Sequence, residues 1–131
     1  MKSILILGII LATSFLSFGQ TKTISNVNDL IGKWQLKSVE IDGQTGSPEE
    51  VFGQSEVFQV YSKNNVFESV MGSIKTKGTW ELSKKDAQIT VEIVEPKNKS
   101  IFKIKTFSIK KMTLTLGVQD GKVIVLNYEK Q

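Results

Sequence analysis

The sequence predicts an all-β domain: an eight-stranded antiparallel up-and-down barrel over residues 20–131, behind a cleaved signal peptide over residues 1–19. Three observations lead there. Apolar and polar residues alternate with period two in eight separate runs, and no helical period persists beyond a turn or two after Gln20. Short turn-forming segments join nearly every consecutive pair of runs, which places each strand beside the next. A meander of eight strands with one apolar face has two raw edges unless it closes on itself.

The first segment, MKSILILGIILATSFLSFGQ, reads as an export signal. Lys2 supplies the positive start, Ile4 to Leu16 the apolar core, and Ser17 and Gly19 the small residues a cleavage site requires. As a membrane anchor it would be short of the ~20 residues a spanning helix needs. Ser25 to Leu30 (SNVNDL) reads as one capped turn with Ser25 as N-cap. The first run, residues 33–41, ends at Asp42-Gly43, and residues 42–55 (DGQTGSPEEVFGQS) form a long loop over one barrel mouth, with one helical turn at 49–53. The second run, 56–63, carries Phe58 and Val60 on its inward face and turns at Asn64-Asn65. The third, 66–71, carries Phe67 and Met71; the fourth, 74–82, carries Gly78, Trp80 and Leu82. In the fifth, 88–94, Ile89, Val91 and Ile93 alternate with Gln88, Thr90 and Glu92. The sixth, 101–109, alternates Phe102 and Ile104 with Lys103 and Lys105. The seventh, 111–118, sets Met112, Leu114 and Leu116 inward, and Asp120-Gly121 is a strong hairpin signal before the last run, 122–128, with Val125 inward.

Composition narrows the function. Hydrophobic residues make up 40% and charged residues 23% of the chain, as in an ordinary folded domain. No cysteine is present, which removes disulfides, thiolate metal sites, a thiol nucleophile and a lipoprotein anchor. Histidine is absent as well, and with it the commonest general base and metal ligand. All 17 basic residues are lysines, so the bidentate fork that reads carboxylates, phosphates and guanine is lacking. A net charge of +4 with two Trp and two Tyr does not make an aromatic-basic nucleic-acid surface. The adjacent acids Glu49 and Glu50, near Asp42, read as solvated loop surface. No catalytic residue, metal ligand or cofactor is expected, and the protein is expected not to be an enzyme.

The turn running into Gly32-Lys33-Trp34 resembles the Gly-X-Trp opening of the lipocalin and calycin superfamily, and a second Gly-X-Trp stands at Gly78 to Trp80. From there GTWELSKKDAQITVEI, FKIKTFSIKKMTLTL and VIVLNYEK resemble the bacterial lipocalin-like domain of small exported proteins, over most of the chain beyond Leu30. The resemblance implies that Trp34 packs across the closed barrel end as a structural plug, with Gly32 allowing close approach beside it. In many relatives an Arg of the last strand covers this Trp; here only Lys122 or Lys130 could stand in. Fatty-acid-binding relatives clamp a carboxylate with an Arg two residues before a Tyr in a closing Y-E-K, a position held here by Leu126, so that clamp is not expected.

A barrel of eight strands is either filled by its own side chains or holds one small ligand. On the ligand reading, the lining consists of Leu36, Phe58, Phe67, Met71, Trp80, Val91, Phe102, Ile104, Met112 and Leu114, and suits a small hydrophobic or amphipathic molecule. On the filled reading, the domain is an interaction module that binds a protein or an anionic envelope polymer. Its surface would be the loops and a lysine-rich face, Lys103, Lys105 and Lys111 with Lys84, Lys85, Lys97, Lys99 and Lys110 in the turns. An exported monomer, periplasmic or secreted, with a small apolar ligand, possible contact with an anionic envelope surface and no nucleic-acid partner, is expected.

Overall fold

The computed structural model describes Ile24, residues 26–117 and residues 121–131. The signal-peptide reading of residues 1–19, the Ser25 cap and the Asp120 half of the last hairpin lie outside the described residues. Among the described residues no helix is long and apolar enough to cross a membrane.

Nine strands form one continuous antiparallel sheet: β1 Gly32–Ile41, β2 Gln44–Gly46, β3 Val57–Ser62, β4 Val66–Met71, β5 Ile74–Ser83, β6 Gln88–Ile93, β7 Asn98–Phe107, β8 Lys111–Gly117 and β9 Val123–Lys130. Consecutive strands from β3 to β9 pair, and β1 pairs with both β3 and β9, so eight strands close into a barrel. β2 lies outside that ring. It pairs with the second half of β1, Val39 opposite Gly46 and Ile41 opposite Gln44, along the edge that β3 covers only as far as Gln35. The seam between β1 and β3 is therefore open toward one end.

The long loop is more ordered than the sequence predicts. It contains a strand, β2, and the helical turn expected at 49–53 is a helix, α1, at Pro48–Phe52. Ser47 caps α1 reciprocally: its Oγ accepts from the Glu50 backbone N–H (3.1 Å) while Glu50 Oε1 accepts from the Ser47 N–H (2.8 Å). Gly53, at φ +76°, ends it in a left-handed turn. The turn before β1 is also capped differently from expectation. Asn26, whose Oδ1 accepts from the Asn28 N–H at 2.9 Å, caps a 3-10 turn at Val27–Asp29.

The barrel's two ends differ. At the closed end, where β1 begins, Leu30, Trp34, Tyr61, Trp80, Ile89, Phe107, Met112, Leu114 and Tyr128 are all buried. Trp34 is fully buried; its indole N–H donates to the Leu30 carbonyl at 2.8 Å and its ring stands 5.9 Å from that of Phe107. Tyr61 makes edge contacts with Phe67 (5.3 Å) and Trp80 (5.6 Å). The Trp80 N–H donates to the Ser62 carbonyl and the Asn65 amide donates to the Trp80 carbonyl, so the β3–β4 turn is tied to β5.

Besides β3, three strands depart from strict alternation or its apparent phase. β1 and β7 each carry a bulge, between Leu36 and Ser38 and between Ile104 and Thr106. Each shifts the following residues by one place, so Val39 and Phe107 are buried where unbroken alternation would turn Ser38 and Thr106 inward. In β9, Leu126 and Tyr128 are buried, and the expected inward Val125 faces the other way.

Candidate functional site

The site begins with β3, whose sequence VFQVYS offers two phases. One would bury Phe58 and Val60; the other buries Val57, Gln59 and Tyr61. The strand adopts the second. Gln59 stands opposite Trp34 of β1, whose side chain points inward, whereas Phe58 stands opposite outward Gln35. The expectation that Phe58 lines the barrel is therefore corrected. Phe58 lies outside, where the Lys33 ammonium sits 4.2 Å from its ring centroid. The physical reason lies at the strand's other end, where Tyr61 packs between Phe67 and Trp80 and fixes the phase for the whole strand.

Burying Gln59 leaves a carboxamide only 7% exposed inside the barrel. Its Oε1 accepts from the Tyr61 hydroxyl at 2.6 Å. The amide nitrogen makes no hydrogen bond within the described residues. It faces a cavity of about 360 Å³ at the open end, lined by Gln59, Phe67, Ser69, Thr76, Val91, Ile93, Pro96, Asn98, Ser100 and Phe102. Register sets the arrangement: Gln59 pairs with Ser69 and Ser69 with Thr76, so three polar side chains form one row across β3, β4 and β5. Phe67 follows Ser69 on β4, and β6 and β7 add Val91, Ile93 and Phe102, with Ser100 opposite Val91 and Asn98 opposite Ile93. Among the described residues no ionisable side chain lines the cavity.

Gly78 makes that arrangement possible. A Cβ placed on it would run into the Glu92 carbonyl oxygen and stand 3.0 Å from Ile93 Cα. Only a residue without a side chain lets β6 approach β5 so closely beside Phe67, which pairs with Gly78. The first Gly-X-Trp is constrained differently. Gly32, at φ +147°, lies under the Lys130 side chain, whose Cε would be 3.0 Å from an added Cβ. Lys130 then donates to the Asp29 carbonyl at 2.7 Å and stands 5.1 Å from the Trp34 ring. Of the two lysines considered for the place over Trp34, Lys130 occupies it, while Lys122 pairs with Asp42 at 3.3 Å at the opposite end.

Of the predicted lining, Phe67, Val91 and Phe102 meet at the cavity. Leu36, Trp80, Met112 and Leu114 are buried in the packed part of the barrel, and Ile104 and Met71 are partly buried against it. Gln59, Ser69, Thr76, Asn98 and Ser100 were not anticipated. Ser69 and Thr76 were findable, because they fall in phase with Phe67 and Trp80; Gln59 was not, since its apolar neighbours claim the inward phase. A second hollow of about 420 Å³ lies under α1, between Val39, Ile41 and Val51. Its carboxylates are engaged, Glu50 in the helix cap and Asp42 with Lys122.

The rim is apolar. Val51 and Phe52 on α1, Ile74, Val94 and Val123 are all exposed at the open end. The lysine-rich face is less uniform than the sequence predicts, because outward Lys77 stands opposite Glu68, and Lys99 opposite Glu92. Lys103 and Lys105 on β7 are exposed.

Residues 30–116 match the model of the lipocalin-like domain family. The chain belongs to the lipocalin-like domain family. The match runs from Leu30, whose carbonyl holds the Trp34 indole, to Leu116 near the end of β8. No curated protein matches the chain. As a lipocalin-like domain, it has a closed eight-stranded antiparallel barrel with one end packed solid and a cavity at the other.

Proposed function

We propose that the chain is a non-enzymatic, exported lipocalin-like protein that takes one small hydrophobic or amphipathic molecule into the open end of its barrel. One observation carries this reading. Packing fills the closed end, yet about 360 Å³ at the mouth is left between Phe67, Val91, Ile93 and Phe102, within the size range of ligand pockets. The rim of Val51, Phe52, Ile74, Val94 and Val123 supports it, because an apolar cargo enters over apolar side chains at least cost. Export rests on the first 19 residues. The non-enzymatic reading rests on the neutral lining and on the absence of histidine and cysteine from the chain.

The same rim supports a second reading, in which the open end docks on a protein or an anionic envelope polymer with help from Lys103 and Lys105. Native mass spectrometry of gently purified protein, followed by solvent extraction, separates the two. A discrete adduct released by extraction supports cargo binding. A bare mass across preparations, with association that weakens in salt and is lost in a K103E/K105E variant, supports docking.

A further inference from the structure

We infer that the cavity selects an uncharged amphiphile, held by a hydrogen bond from the Gln59 amide nitrogen to a neutral oxygen of the ligand, such as an ester or alcohol. The inference deepens the binding reading above and rests on it. Gln59 is more than nine-tenths buried, and the Tyr61 hydroxyl occupies its oxygen at 2.6 Å. That bond orients the amide, leaving the N–H₂ group as a donor facing the cavity without a partner in the described residues. No buried side-chain nitrogen or oxygen among the described residues lacks a partner, so this nitrogen is open to water from the cavity. A ligand that displaces that water and supplies an acceptor keeps the donor paired, which an apolar molecule does not. Ser69 and Thr76 continue the row outward from Gln59, and neither side chain is hydrogen-bonded within the described residues. The cavity thus interleaves the polar groups of Gln59, Ser69, Thr76, Ser100 and Asn98 with the apolar side chains of Phe67, Val91, Ile93 and Phe102.

Charge selects against ions. A carboxylate would find no cation in the lining, and an ammonium no anion, so either would lose its water without compensation. Lys97 and Lys99 flank Asn98 in sequence but are exposed to solvent. At about 30 Å³ for each water-sized group, the cavity holds on the order of a dozen heavy atoms, which suits an eight-carbon tail with a small head.

The test uses three probes with the same tail: 1-monooctanoylglycerol, octanoate and octylammonium, titrated calorimetrically into the wild-type protein and a Gln59→Leu variant. The glyceride is expected to bind at least about tenfold more tightly than either ion, and Gln59→Leu to weaken it about tenfold. Octanoate or octylammonium binding as tightly as the glyceride overturns the inference while leaving a binding cavity in place. So does a folded Gln59→Leu variant that binds the glyceride as wild type does. Should that variant fail to fold, the order of the three probes on wild type still decides. Binding by none of the three, together with a bare native mass, removes the cargo reading itself and this inference with it.

Discussion

The chain has two tyrosines, Tyr61 and Tyr128, and both are buried in the packed half of the barrel. Burial pushes both phenols up from the ordinary value of 10.0, with the neighbouring Tyr128 adding to the effect on Tyr61. The perturbation is a rise in pH. In the folded protein both phenols stay protonated, whereas the unfolded chain ionises them once the pH passes about 10. The unfolded state then binds fewer protons than the native state, so stability falls as pH rises. The tyrosines' contribution is flat below about 9. Above about 10 the pair costs on the order of 3 kcal/mol per pH unit until the folded phenols themselves begin to ionise. For a domain of this size that is a large share of total stability. The assay is absorbance at 295 nm, which reports tyrosinate and is blind to lysine titration, alongside far-ultraviolet circular dichroism. The expected result is no tyrosinate signal in the folded protein through pH 10, then appearance of both tyrosinates in one step that coincides with loss of the sheet signal. A smooth titration centred near 10 with the fold intact would refute the buried placement of these side chains.

Other outcomes follow from particular contacts. Gly78→Ala drives a methyl against the Glu92 carbonyl and is expected to cost about 2–4 kcal/mol in urea unfolding, with weaker glyceride binding because Ile93 moves with β6. Lys130→Met keeps the chain packed on Gly32 but removes the bond to the Asp29 carbonyl and the cation over Trp34. A loss of about 1–2 kcal/mol is expected by the same method. Asn127→Ala breaks a row across three strands, since Asn127 accepts from Thr113 (2.8 Å) and donates to Ser38 (2.9 Å). The expected cost is about 1–2 kcal/mol, with glyceride affinity unchanged because the row lies outside the barrel.

The barrel was legible because β5, β6 and β8 alternate cleanly: Trp80 with Leu82, Ile89 with Val91 and Ile93, and Met112 with Leu114 and Leu116 each take the face their period assigns. Phe107 was hidden by the bulge after Ile104, a backbone event that no side-chain pattern announces. Strand β2 was hidden because a three-residue strand is too short to show a period, whereas the helical turn expected at 49–53 is α1, with Ser47 and Glu50 as its cap. The site was least legible at β3. Hydrophobicity favours Phe58 and Val60 inward, but the distant contacts of Tyr61 decide the phase and bring Gln59 in. A local preference overridden beside the cavity is where a functional constraint is expected to stand.

The central claim, that the open end of the barrel is a ligand site, is tested most directly by nuclear magnetic resonance of the labelled protein titrated with 1-monooctanoylglycerol. The account predicts saturable shifts of the Gln59 side-chain N–H₂, of Phe67, Val91, Ile93 and Phe102, and of Ser69 and Thr76, with the Trp34 indole and Leu114 methyls unmoved. Shifts confined to the exterior of β7 around Lys103 and Lys105, or none at saturating glyceride, would contradict it.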